Sequence, residues 1–418
     1  MVRMRMTFRS WLAVAPFLVL QAGAAFAQPA PTVTVTTLAD RFYRLTSTVP
    51  YPTNLLAYVS PAGILLVDSG SIETGDELKR VLKTLDGGPA DVKILINTHA
   101  HIDHTGGNLA LAGGPLIIGP EILRSTLRAY GYVLYEFPDN ALPSITFTDS
   151  MTIRFGDETV RIIAMPGSHD ATDVIVYFTK AGIVCMGDIA YGMMFPSIDP
   201  FTGNLLEYPN IIDKVLAAIP DTATIISGHG RDTSVKELRQ FRDMLAGTAA
   251  VVKAGLAQGK DVATMQKEDV LKQWASFGNP YTGSGNDWIP KLAAAGPSRL
   301  RGAVIGELYP VLVRADADAA IARYAEMKRD HPTGYPFNPD GLIRLGAWLS
   351  KKGRPAEAVK LFELAVREFP TYPPAYAALG PACEKAGDAA RAIWSYQEWL
   401  RVDPASDEAK EALKRVRK

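Results

Sequence analysis

Two cysteines in 418 residues cannot build a disulfide framework. Cys185 and Cys383 fall in segments assigned below to different domains, so both are expected as small buried apolar side chains and not as a bridge. An excess of either charge is also missing. Lys plus Arg and Asp plus Glu number 44 each, and no dense basic run interrupts the middle of the chain. That balance argues against a nucleic-acid partner. No apolar stretch reaches the ~20 residues of a membrane-spanning helix. Histidine is scarce too, at six in the whole chain, so where it falls is informative.

The N-terminus carries an export signal. Arg3, Arg5 and Arg9 precede the short apolar core "WLAVAPFLVL", and Ala25-Phe26-Ala27 forms a small-x-small cleavage site before Gln28. Residues 1–27 therefore predict a periplasmic or secreted protein, with no membrane insertion after cleavage. The length suits two or three domains.

From 33 to 250 short apolar runs alternate with turns and helical patterns. "TNLLAYVS" and "GILLVDSG" read as strands paired around "PAG". "VKILIN" is a continuous apolar run, the mark of a strand covered on both faces. This mixture predicts an α/β sandwich with mixed sheets. Residues 251–300 read as a helical linker with loops. From 301 to 418 the chain repeats: Leu345-Gly346, Gly353, Ala358, Phe362 and Pro370 recur 34 residues later as Leu379-Gly380, Gly387, Ala392, Tyr396 and Pro404. A weaker copy supplies Ala320, Tyr324 and Pro332. The pattern resembles the tetratricopeptide repeat, which implies stacked helix pairs, a polar capping helix at "DEAKEALKRVRK" and a surface for a protein partner.

The chemistry is concentrated at the ends of apolar runs. "LINTHAHIDHTGGN" holds His99, His101, Asp103 and His104. His99 and His101 stand two apart and point the same way in extended backbone. His169 follows "RIIAMPGS", Asp188 follows "GIVCMG" and His229 follows "TIISG". Four runs thus end in side chains competent to bind a borderline metal such as zinc. Five of the six histidines lie at such positions, which core packing does not explain. His331, near a helix end, is left to a structural role.

His-x-His-x-Asp-His, a downstream His, an Asp after a strand and a final Gly-His resemble the metallo-β-lactamase superfamily over about residues 40 to 230. The resemblance implies an αββα sandwich with a binuclear site at its edge. His99, His101 and His169 would hold one ion, Asp103, His104 and His229 the other, and Asp188 would bridge them. Two Zn2+ ions are expected, with iron or manganese as substitutes. Such a pair lowers the pKa of a shared water from ~16 towards ~7 and polarises a carbonyl. Asp103 would orient the bridging hydroxide. Asp68 matches a position that braces the ligand loop, or it is a turn-initiating Asp.

Asp at 188 is similar to glyoxalase II-type thioesterases and lactonases, whereas dedicated β-lactamases mostly carry Cys or Ser there. Tyr191, three residues on, is either an oxyanion-assisting hydroxyl, as in lactonases, or a packing tyrosine. The function expected is a periplasmic zinc-dependent hydrolase of a small ester, thioester, lactone or amide. The alternatives are a true metallo-β-lactamase and a partner-binding repeat protein with an inert metal site. "AYGMMFPSIDPFTGNLLEYP" and "NPYTGSGNDW" are the loops expected to shape the groove.

Overall fold

A computed structural model describes residues 32–417 apart from 50, 87, 135–136, 199–202, 296–303, 333–334 and 336. The expected export signal 1–27 and the expected start at Gln28 lie outside the described residues. Seven strands form the first sheet in chain order: β1 (Val33–Ala39), β2 (Phe42–Ser47), β3 (Thr53–Ser60), β4 (Gly63–Val67), β5 (Val92–Ile96), β6 (Leu116–Pro120) and β7 (Ile145–Phe147). Strands β1 to β4 pair antiparallel, and β4 to β7 parallel. The second sheet holds β8 (Ser150–Phe155), β9 (Glu158–Ala164), β10 (Val174–Phe178), β11 (Ile183–Cys185), β12 (Thr224–Ile226) and β13 (Thr233–Ser234). It is antiparallel except where β11 runs parallel to β12.

Side-chain parity explains the layers. Successive residues of a strand point to opposite faces. In β3, Leu56 and Tyr58 join Leu65 and Val67 of β4 against Val174, Val176 and Phe178 of β10, and this is the seam between the sheets. Leu55, Ala57 and Val59 point the other way, where α1 (Gly75–Leu82) lays Leu78, Val81 and Leu82 on them. Both faces of β3 and β4 are covered, and every residue in them is buried. The short α2 (Ile102–Thr105) follows β5, and α3 (Glu121–Leu134) packs beside β6.

The second sheet is covered by α4 (Tyr208–Ala218) and the long α5 (Val235–Ala257). Ser234 starts α5 with a capping box: its hydroxyl accepts from Glu237 N, and Glu237 Oε2 accepts from Ser234 N at 2.8 Å. The segment read as a linker folds onto the same face. Helices α6 (Val262–Lys267) and α7 (Gly285–Ala294) place Met265, Trp288, Ile289 and Leu292 in the core under that sheet, and Trp288 Nε1 donates to Thr248 Oγ1 at 3.2 Å. The domain is the four-layered αββα sandwich with two mixed sheets.

Beyond it lie α8 (Val304–Arg314), α9 (Ala317–Asp330), α10 (Pro339–Lys351), α11 (Pro355–Glu368), α12 (Pro373–Lys385), α13 (Ala389–Val402) and α14 (Asp407–Val416). They stack as antiparallel pairs around one apolar core. The 34-residue period has a steric cause. A Cβ on Gly346 would lie 2.5 Å from the Phe362 ring, and one on Gly380 would lie 2.2 Å from the Tyr396 ring. Each pair closes by seating an aromatic on a glycine. Helices α8 and α10 pack on α3, so the array rests on the sandwich. Cys185 and Cys383 are free and buried, in the seam and in the helical core. Among the described residues no helix is long and apolar enough to cross a membrane.

Candidate metal centre

Strand β5 stays apolar to Ile96 because it is interior, and it must turn where the sheet ends. Its parallel neighbour β4 ends beside it at Asp68. Asp68 has φ +60, a left-handed conformation that costs a non-glycine residue ~1–2 kcal/mol. Three hydrogen bonds offset that strain. The carboxylate accepts from Thr98 N at 2.7 Å and Thr98 Oγ1 at 2.7 Å, and binds His104 Nδ1 at 2.8 Å. Asp68 therefore braces the ligand loop, beyond any role in the turn. With Nδ1–H given to Asp68, His104 turns the lone pair of Nε2 towards the site.

Two other imidazoles are oriented in the same way. His169 Nδ1 donates to Ser197 O at 2.9 Å, and His229 Nδ1 donates to Pro52 O at 2.7 Å. Asp173 shapes the loop of His169 by accepting from His169 N, Asp170 N and Ser168 Oγ at 2.7 to 2.8 Å. Asn54 Nδ2 holds the loop of His229 by donating to Ser227 O and Gly230 O, each at 2.9 Å.

All seven sequence candidates come together as two groups. His99, His101, His169 and Asp188 form one, and Asp103, His104 and His229 the other; within each group the ligand atoms lie within 4.8 Å of one another. Asp188 spans both. Its Oδ2 is 3.4 Å from His169 Nε2 and 3.3 Å from His229 Nε2, and its Oδ1 is 3.2 Å from His104 Nε2. Asp103 Oδ2 lies 3.2 Å from His229 Nε2 and accepts from Thr53 Oγ1. Glycines make the approach possible. A Cβ on Gly228 would stand 2.1 Å from Asp188 Oδ1, and one on Gly187 would strike the Thr98 side chain at 2.4 Å.

The residues fit a metal pair on their own evidence. His99 Nε2, His104 Nε2 and Asp188 Oδ1 are buried and make no hydrogen bond, a costly state unless something else takes their lone pairs. The donor set is imidazole and carboxylate, which suits borderline divalent ions. Burial alone would raise the Asp188 carboxyl, but His229, His104, His169 and His99 around it hold it well below the usual carboxylate range. It is poised as an anion between the two groups.

A cavity of about 350 Å³ opens over this edge. Tyr191, 7% exposed, lines it with its ring centroid 5.0 Å from that of His229. Met194 and Ser197 enter from the loop after Asp188, and Tyr281 and Thr282 from the second loop expected at the groove. Tyr51 and Pro52 complete the rim, and the sequence reading missed both. It also missed Ser197 and Pro52 as imidazole partners, because a backbone carbonyl leaves no residue-type signal. Asp173 had one, as the second Asp of "SHDATD". His331 caps the C-terminal end of α9, as a structural residue does.

Residues 48–244 match the family model described as the Metallo-beta-lactamase superfamily. The chain is 27% identical over 183 residues to an uncharacterized protein of Aquifex aeolicus, which covers 41% of this chain and 82% of that protein. It is 31% identical over 172 residues to a hydroxyacylglutathione hydrolase of Brucella anthropi, covering 40% of this chain and 55% of that enzyme. A hydroxyacylglutathione hydrolase of Rhizobium etli is 28% identical over 40% of this chain and 60% of its own length. The chain thus spans little more than half of the hydroxyacylglutathione hydrolases it matches. Among solved structures, a metallo-β-lactamase from Pontibacter korlensis aligns with TM-score 0.46 and 23% identity over 51% of this chain and 99% of its own.

Proposed function

We propose that this chain, which carries a metallo-β-lactamase-superfamily domain with an intact binuclear His/Asp site at residues 48–244, is an exported zinc-dependent hydrolase of small esters, thioesters, lactones or amides. The observation that carries the reading is the carboxylate of Asp188 set between two complete ligand groups under an open cavity. The hydroxyacylglutathione hydrolases among its relatives support hydrolysis of an acyl group. When bound, two divalent ions supply hydroxide at neutral pH and polarise the scissile carbonyl.

The chain's own residues do the rest. Asp103, fixed by Thr53, is an acceptor that orients the attacking water. Tyr191 faces the cavity as a donor. Burial, then Asp188 and Asp103, raise its phenol, so in the metal-free site the hydroxyl holds its proton. It can donate one hydrogen bond to the oxyanion that develops on the substrate, a contact worth ~10²–10³-fold in turnover. Ser197 O and Pro52 O hold the imidazoles of His169 and His229 in one tautomer throughout. The helical array, read as tetratricopeptide repeats, is a partner-binding surface outside this chemistry.

Elemental analysis of the zinc-purified chain tests the metal assignment: close to two ions per chain are expected, one for each ligand group, and less than one sinks it. Tyr191→Phe keeps the ring and removes the donor. Native turnover with native metal content in that variant retires the catalytic role. Mass spectrometry of the exported protein should show a chain that begins at Gln28.

A further inference from the structure

Part of the cavity wall, Tyr281 and Thr282, is built by a segment outside the family match, and it carries an aromatic ring. Residues 279–283 form a closed loop. Asn279 and Gly283 exchange backbone N–H···O bonds, both at 3.0 Å, and Asn279 Oδ1 accepts from Tyr281 N at 2.8 Å and Thr282 N at 2.9 Å. Gly283 supports the turn with φ +92. The loop is tied to the strap that follows Asp188: Thr282 Oγ1 donates to Phe195 O, and Phe195 N donates to Phe277 O at 2.7 Å.

This scaffold holds the Tyr281 ring at the lip, 59% exposed, edge-on to Tyr51, which is 56% exposed, with centroids 6.4 Å apart. Two large rings left open to water at the mouth of a cavity, one on a pre-formed loop, are a stacking site in waiting. Met194 adds a soft apolar side chain to the lining of the same cavity.

Charge is distributed just as selectively. Among the described residues that line the cavity, the ionisable carboxyls and imidazoles belong to the metal groups, and no lysine or arginine is present. Arg231, which follows the lining residue Gly230, turns away to Glu237 at 2.7 Å. A substrate whose far end carries a carboxylate would give up part of its hydration beside tyrosine and methionine, and among the described lining residues no Lys or Arg pairs it.

We infer that Tyr51 and Tyr281 select a substrate whose scissile carbonyl sits at the metal groups and whose far end is an uncharged aromatic ring. The inference rests on the hydrolase reading for where the carbonyl sits. It sets this chain apart from enzymes of thioesters with carboxylate-bearing carriers.

The test uses the zinc-loaded full chain and two measurements. The first is equilibrium binding, by calorimetry or ligand-observed NMR, of N-methyl-2-phenylacetamide and of the same amide carrying a 4-carboxylate on the ring. The neutral probe should bind at least about tenfold more tightly. Tyr51→Ala and Tyr281→Ala should each weaken it about tenfold with native metal content, while Tyr281→Phe should bind it normally. Equal or tighter binding of the carboxylated probe, no binding of either, or unchanged binding in both alanine variants would overturn the assignment. The second measurement is turnover of the matching methyl esters, where kcat/KM should follow the same order. Absence of turnover with the binding order intact would refute the hydrolase reading and leave the aromatic site standing.

Discussion

Asp68 reaches His104 through one hydrogen bond and the backbone of the ligand loop through another, so its loss disturbs a ligand it does not replace. Asp68→Ala should weaken the second ion ~10–100-fold, as loss of an outer partner of a ligating histidine does. A competition titration with a chromophoric chelator reads this, and native affinity for both ions would contradict the bracing role. The metal-free site also has a pH signature. In the chelated protein, burial would lower His229, but Asp188 and Asp103 raise it from 6.5 to about 10, and His104 is raised as well by the carboxylates around it. A base raised in the folded state stabilises the fold below its unfolded pKa and loses that contribution as pH climbs through the folded value. The chelated protein should therefore lose thermal stability between pH 7 and 10, and the zinc-loaded protein should lose less, because the ions displace those protons. Parallel melting curves across that window for both forms would count against the carboxylate–imidazole clustering.

Helix α5 is the longest element over the second sheet, and its first turn depends on Ser234 and Glu237. Ser234→Ala removes an acceptor for the orphan N–H groups and should cost about 1 kcal/mol in chemical denaturation. Glu237 is held low, to about 2, by Arg231 first and by the backbone of Ser234, so the cap persists above the ordinary carboxylate pKa and is lost only as pH falls towards 2. In the helical array, Gly380→Ala puts a methyl into the Tyr396 ring. Overpacking of this kind costs ~1–3 kcal/mol and should lower the melting temperature without changing metal content.

At the scale of the molecule, the ligands and the cavity lining all precede residue 295, while α8 and α10 rest on α3. Truncation after residue 295 should leave two ions bound and turnover present, while exposing the covered side of α3 and lowering solubility. A soluble, metal-replete truncation without turnover would show that the array builds part of the site.

Much of this was legible in the order of residues. Local chemistry is written locally: strands covered on both faces are continuously apolar, ligands follow the strand ends, and a glycine recurs 34 residues on wherever an aromatic must seat. Parity in β3 and β4 carries the αββα layering in the same way. Other features were decided only in three dimensions. That Asp188 lies within 3.2 to 3.4 Å of His104, His169 and His229 depends on β5, β9, β11 and β12, which end at Ile96, Ala164, Cys185 and Ile226, all ending at one edge. The carbonyls of Ser197 and Pro52 orient imidazoles with groups every residue possesses, so no side chain announces them. The segment read as a linker became the aromatic wall of the cavity because Trp288 and Met265 found the open face of the second sheet, and burial of apolar surface is indifferent to sequence distance.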